Sequence, residues 1–460
     1  MSDDGASTDV VVVGAGWAGL AAAVELCRHG LRPPVLDAAP RPGARARAVP
    51  LTIDGETLRV DNGQHLLIGA YDEVLRLVGI VHREPGQALR RMPMRLESVG
   101  GLSLVPSALP APWHLATALL RARGLSWRDR IALVRLMAGL RRAGWTVPRG
   151  ETVAGLLARL RQPASLIGSL WEPLCVATLN TPLEHACART FAAVLRDTLG
   201  ADRAACDFVL PRITLSEVLP EPAAAWLAGQ GATLQWRCAA RGIERRGERW
   251  RVDTVAGPLE GTDLLLAVPP VNAARLLTGV ADAAQLAELD GFDYEPIATA
   301  YLWWRAARAP ALPDWIMLDE QPQRRWHGQW LFDRGRLGDW RCAAVVVSAR
   351  GRQWLAGLDD RQDAAAPVSP DMLIAGQVAA QLRIPPPDET RLIVDKRATF
   401  RCTPRRPLWR ADQLRSRAPG LWLAGDWLWP DYPATLESAV RSGLAAARAI
   451  IAARTAGRRV

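Results

Sequence analysis

At 460 residues, with 49% hydrophobic and 23% charged residues, the chain is long enough for two packed domains and too apolar to be disordered over most of its length. Its net charge of +10 is carried almost wholly by arginine, Lys396 being the single lysine. No long basic run or aromatic RNA-binding signature accompanies that charge, which argues against nucleic acid as a partner. Seven dispersed cysteines without a C-x-x-C pair, and six histidines without ligand spacing, argue for reduced thiols in a cytoplasmic compartment and against a metal site.

The start, MSDDGASTD, is acidic where a secretory signal is positive. The apolar run at residues 10–24 contains three glycines and is short for a membrane span. It reads instead as strand, tight turn and helix. Residues 10–13 are four valines, as in a parallel strand buried on both faces. Gly14, Gly16 and Gly19 form G-x-G-x-x-G, and alanine-rich sequence through Leu26 continues as helix. In such a turn the first glycine permits the bend, the second admits a pyrophosphate, and the third lets helix pack on strand. The helix start offers free N–H groups to phosphate, with Trp17 and Ala18 following the turn as further contacts. Asp37 ends a second strand about twenty residues on, where a carboxylate binds ribose hydroxyls, and Ala38 follows it. After Asp37, Arg45 follows Gly43-Ala44, a G-A-R form of the second glycine motif that it resembles in the FAD-dependent amine oxidase and polyprenoid desaturase superfamily. An arginine there neutralises pyrophosphate charge with its fork of donors.

DNGQHLLIGAY, residues 61–71, places Asp61, Asn62, Gln64 and His65 directly before an apolar run, as if polar groups were held near an interior. At residues 113–145, Ser126 is placed to cap a helix whose Ile131, Val134, Met137 and Leu140 share a face. Seven arginines against Asp129 give this segment 7 − 1 = +6, and Trp113, Trp127 and Trp145 flank its helical parts. Two readings stand: a helix packed on the core with a solvated arginine face, or a basic helix lying on anionic lipid. Proline-rich breaks fall at 106–112, at Pro220 and Pro222, at Pro269-Pro270 and at 385–387. Residues 231–270 read as short strands ending in a buried strand at 264–268, with Ala240 the position for a backbone contact to adenine.

Near the other end, residues 421–424 form a short strand running into Gly425-Asp426, followed by a proline loop and a helix that includes residues 435–450. Asp426 suits ribityl or pyrophosphate groups, and the helix start, with Ala434, Thr435 and Leu436, suits negative charge on a reduced flavin ring. One cofactor gripped by both ends requires a discontinuous domain with substrate-binding material inserted. Gly63 would then let backbone approach the ring, while Gln64 and His65 border the substrate space. A satisfied interior histidine gives the same pattern at His65. There is no second G-x-G-x-x-G, so no dedicated nicotinamide domain is visible.

Several segments in order resemble the hydroxysqualene dehydroxylases, also called squalene-associated FAD-dependent desaturases. They include VDNGQHLLIGAYDEVLRL, WEPLCVATLNTPLEHACARTFAAVLRDTLG, FDYEPIATAYL, DKRATFRCTP and LAGDW…YPATLESAVRSG. The resemblance implies an α/β, two-domain FAD-dependent amine-oxidase-like fold. Residues 1–95, 211–275 and 395–460 would make a discontinuous Rossmann-type FAD-binding domain, and 96–210 and 276–394 a mixed α+β substrate domain. It implies FAD, reductive removal of the hydroxyl of hydroxysqualene to give squalene in bacterial hopanoid synthesis, and an unidentified electron donor. The location implied is cytoplasmic, with the inner membrane face as the place for any peripheral contact. The family pattern is broken at residues 428–432, Leu-Trp-Pro-Asp-Tyr, and at Ser438, which replaces a usual glycine. A proton donor must assist departure of the allylic hydroxide. His65 is the first candidate, with Gln64 orienting and Tyr432 or Asp207 as further candidates. A desaturase or isomerase of another polyprenoid would use the same architecture, and a prenyl-chain escort protein would use the fold without flavin chemistry.

Overall fold

The computed structural model describes residues 7–351, 354 and 368–457. Strand Ser7–Val13 lies inside a seven-stranded sheet because Val10 to Val13 present apolar surface to both sides, and all four are at most 5% exposed. Leu234–Gln235, Val35–Leu36, Ser7–Val13 and Gly257–Leu266 run parallel in that order. Arg249–Thr254 and then Ala240–Arg246 continue antiparallel beside the first half of Gly257–Leu266. Leu421–Leu423 runs parallel beside its second half. The register sets Val13 opposite Leu266 and Leu266 opposite Leu423. The first and last segments therefore finish at the same carboxyl edge, with Gly257–Leu266 between them, where open α/β sheets bind their ligands.

The helix Trp17–Arg28 leaves this edge with nearly all its residues buried, and it packs against Leu436–Gly457. Small residues allow the approach: a Cβ on Gly443 would stand 2.0 Å from the Ala18 carbonyl oxygen. A Cβ on Gly19 would stand 1.8 Å from the Gly14 carbonyl oxygen, so the third glycine of the motif is required by backbone contact.

A second, antiparallel sheet has the order Trp315–Met317, Trp330–Leu337, Trp340–Ser348, Tyr294–Arg305, Glu389–Phe400. The expected domain boundary at 394/395 falls inside Glu389–Phe400, which pairs along its length with Tyr294–Arg305. Strand Phe208–Pro211 pairs with both Leu67–Ile68 and Leu89–Met92, tying the middle of the chain to the segment after residue 61.

The helix Trp127–Arg142 starts at Ser126 with a capping box closed by Asp129. Its buried face differs from the expected one. Ala132, Leu136 and Leu140 face the core, whereas Ile131 and Val134 are 65% and 53% exposed. A stripe of small and medium residues at i, i+4 and i+8 meets the core, and the bulkier pair sits about half a turn around the cylinder. Among the described residues no helix is long and apolar enough to cross a membrane.

Candidate active site

Two turns meet at the carboxyl edge of the first sheet. In one, Gly14 adopts a φ of +107°, and any Cβ there would lie 2.3 Å from the Ala267 carbonyl oxygen. In the other, the Gly425 amide donates to Ser442 Oγ at 2.7 Å and Trp427 Nε1 donates to the Val268 carbonyl at 3.1 Å. Arg45 joins them. Its Nη2 donates to Asp426 Oδ1 at 2.7 Å, across 381 positions of sequence, and its Nη1 donates to the Ala398 carbonyl at 3.2 Å. The buried Asp426 carboxylate holds the Arg45 guanidinium more firmly protonated than usual, outweighed though that attraction nearly is by desolvation.

The polar residues of DNGQHLLIGAY meet several elements. Asp61 is buried away from the crevice: Oδ1 accepts the Leu215 amide at 2.6 Å, and Oδ2 pairs with Arg334 at 3.3 Å. Burial raises its pKa, opposed by Arg334. Asn62 bolts down the second glycine loop, donating to the Arg45 carbonyl at 2.6 Å and accepting from the Arg47 amide at 3.1 Å. Gln64 Nε2 donates to the His65 carbonyl at 2.9 Å, while its Oε1 is buried with no hydrogen-bond partner among the described residues. His65 Nδ1 lies 2.7 Å from the Gly63 carbonyl, which in the neutral ring places the proton on Nδ1. Burial lowers the imidazole pKa below its ordinary 6.5, opposed in part by Asp61. The following helix, Asp72–Val81, is held by Glu437, whose carboxylate accepts the amides of Glu73 at 3.2 Å and Val74 at 3.0 Å. A buried acid from the C-terminal segment thus satisfies helix-start donors in the N-terminal one.

Gly16, Trp17, Ala18, Arg45, Gly63, Gln64 and His65 line one cavity together with Gly425, Asp426, Tyr432, Ala434, Thr435 and Leu436. Other expected contacts lie elsewhere. Gly14 and Gly19 stand behind the turn as packing positions. Asp37 Oδ2 accepts the Ala15 amide and Oδ1 the Ala39 amide, both at 2.7 Å, and Ala38 is exposed. Ala240 is buried in its strand with its carbonyl accepting from Arg275 at 2.8 Å. It lies two residues from Cys238, whose amide donates to the Asp37 carbonyl. Asp207 is absent from the cavity wall and pairs with Arg91 at 3.0 Å.

Away from the glycine turns the cavity becomes apolar, lined by Met94, Leu96, Leu174, Phe208, Trp330 and Phe332. Sequence reasoning missed several polar residues of its wall, Tyr71, Asp197 and Asp395 among them. Asp197 accepts from the Tyr432 hydroxyl across 235 positions, so no local pattern announces it. Burial pushes the phenols of Tyr71 and Tyr432 well above their ordinary range.

The residues present fit a flavin dinucleotide. The helix start at Gly16 has no side-chain cap, and Leu436 begins a second helix at the same cavity. The unmet Gln64 Oε1 is an acceptor awaiting a ligand donor. A dinucleotide turn and a Gly-Asp segment closing on one crevice, with an apolar extension, define a flavin-dependent oxidoreductase.

The chain belongs to the family of flavin containing amine oxidoreductases, whose model matches residues 17–451. Among curated proteins it is 31% identical to a hydroxysqualene dehydroxylase of Rhodopseudomonas palustris, over 97% of this chain and 99% of that one. It is 26% identical to a protein of the same name from Zymomonas mobilis, over 95% and 97%. Among solved structures, putrescine oxidase matches with a TM-score of 0.65 at 16% identity, over 97% and 99% of the two chains. Cyclohexylamine oxidase from Brevibacterium oxydans matches with a TM-score of 0.61 at 14% identity, over 96% and 98%. The protein is an FAD-dependent oxidoreductase of the amine oxidase fold, as its motifs implied.

Proposed function

We propose that the protein reductively removes the hydroxyl group of hydroxysqualene, giving squalene for hopanoid synthesis. The observation that carries this is one cavity running from the dinucleotide turns into a wall of Met94, Leu96, Phe208, Trp330 and Phe332. A long hydrocarbon with a single oxygen has its matching surface there: apolar contact for the chain and hydrogen-bonding groups at one end. Relatives named for this reaction over nearly the whole length support the same substrate.

The reaction balances as R–OH with two electrons and two protons giving R–H and water. A flavin held by Gly16, Arg45, Gly63 and Asp426 would, when reduced, be the source of hydride for the carbon that loses oxygen. His65 is the proton donor to the departing hydroxyl, acting as imidazolium, and Gln64 fixes it through the His65 carbonyl. Tyr432 is a positioning residue, since its hydroxyl is engaged by Asp197. The apolar wall keeps water from the allylic cation. With one dinucleotide fingerprint in the chain, electrons come from a separate donor.

The test is anaerobic incubation of photoreduced holoenzyme with hydroxysqualene. Squalene formed in step with flavin reoxidation is the expected outcome. Reoxidation without squalene, or new double bonds in squalene offered to the oxidised enzyme, would assign a desaturase of another polyprenoid instead. A purified protein that refuses FAD would assign an escort role.

A further inference from the structure

The helices Trp113–Arg121 and Trp127–Arg142 carry an outer face that nothing in the site accounts for. Eleven large hydrophobic residues stand well exposed among the described residues, and seven of them fall between positions 105 and 134, so this is a patch and no random scatter. Trp113 and Leu120, seven apart, are 62% and 63% exposed on one helix. Trp127, Ile131 and Val134, spaced by four and three, are 66%, 65% and 53% exposed on the next. Each set forms one stripe.

Arg130 brings the stripes together. It donates to the carbonyls of Leu120 and Ala122, both at 2.6 Å, closing the end of the first helix, and its guanidinium lies 4.7 Å from the Trp127 ring centre. The inner sides are committed: His114, Ala118, Leu136 and Leu140 are buried. The outer charge has one sign. Residues 113–142 contain seven arginines and one acid, 7 − 1 = +6. That acid, Asp129, is buried and bonded to Ser126 and Ser165, so it screens nothing outside.

We propose that this face docks the protein peripherally on a bilayer carrying anionic headgroups, with the tryptophans and Ile131 among the upper acyl chains and Arg121, Arg123 and Arg128 at the phosphates. A second copy of the chain is the poorer occupant, because a two-fold contact would set +6 against +6. The surface lies close to the cavity: His114 Nε2 is 3.8 Å from Sγ of Cys206, a cavity-wall residue, so one helix diameter of about 10 Å separates lipid from the apolar chamber. Delivery of a membrane-dissolved substrate across that distance rests on the proposed function; docking itself does not.

The experiment sediments full-length holoenzyme with isoprenoid-free vesicles of phosphatidylcholine containing 30% phosphatidylglycerol, or of phosphatidylcholine alone, in 50 and 300 mM NaCl. The expected result is partitioning at least about 10-fold stronger to the anionic vesicles, weakened by salt. The triple variant Arg121→Glu/Arg123→Glu/Arg128→Glu should lose about 100-fold or more, each arginine near a charged surface contributing about five-fold. Trp127→Glu/Ile131→Glu should lose at least as much, with flavin absorbance retained. Absence of wild-type sedimentation with anionic vesicles overturns the proposal, and so does equal partitioning of the variants. A dimer that dissociates on these substitutions without any vesicle binding also overturns it. Vesicle binding without squalene formation in detergent upholds docking and removes the proposed reaction.

Discussion

The two ends of the cavity are built on opposite principles. At the glycine-turn end, backbones touch with no spare volume, and an ion pair between Arg45 and Asp426 joins residues 381 positions apart. At the other end, Met94, Leu96, Phe208, Trp330 and Phe332 offer apolar surface with no directional bond to a ligand. The first end discriminates by geometry to within an ångström, and the second by hydrophobic area alone. One end therefore selects the chemistry, and the other selects a class of chain.

The sharpest way to break this contrast is Gly19→Val. Its Cβ would fall 1.8 Å from the Gly14 carbonyl oxygen, so the turn must open. The expected outcome is no recoverable FAD-bound protein, read by the flavin spectrum after purification. Next comes His65→Gln, which keeps a polar side chain but removes the proton. Turnover at saturating substrate should fall by roughly 10²–10⁴-fold with FAD retained. Burial lowers the His65 pKa, and Asp61, Asp395 and Arg334 are the charges acting on the ring. The imidazolium thus grows only as pH falls below 6.5, so wild-type turnover should climb from pH 8 toward pH 5 while the variant stays flat. A flat wild-type profile would remove His65 from the proton-donor role.

Arg45→Ala leaves the Asp426 carboxylate, 8% exposed, without its partner. A loss of about 3 kcal/mol in unfolding free energy is expected, with weaker FAD binding, measured by denaturant titration of the apo and holo forms. Smallest is Met94→Leu at the apolar end. A volume-conserving exchange should cost less than about 1.5 kcal/mol and leave kcat within about three-fold. A loss comparable to that of Arg45→Ala would show that the greasy end also demands tight geometry.

The same contrast explains what could be read from sequence. Gly14, Gly16 and Gly19 are local: their steric roles are fulfilled within one strand and one helix, and spacing alone reveals them. The Ser126 cap is local too, closed three residues on by Asp129. Asp197 and Glu437 are legible only through partners hundreds of positions away, Tyr432 and the amides of Glu73 and Val74. Asp61 shares its stretch with the cavity-lining Gln64 and His65, but Leu215 and Arg334 draw it inward. The stripe of Ile131 and Val134 misled for a related reason. Periodicity identifies a helix with an apolar side, but the choice of side belongs to what packs against it, and there Ala132, Leu136 and Leu140 fit.

Glu437 and Asp426 have a bearing on how the molecule is made. Both reach back to early residues, so the nascent chain leaves the ribosome with its first nucleotide-binding turn complete but its clamp unmade. The 381 positions between Arg45 and Asp426 take about 20–75 s to synthesise at about 5–20 residues per second. Stable capture of the flavin is thereby deferred until Asp426 has been made.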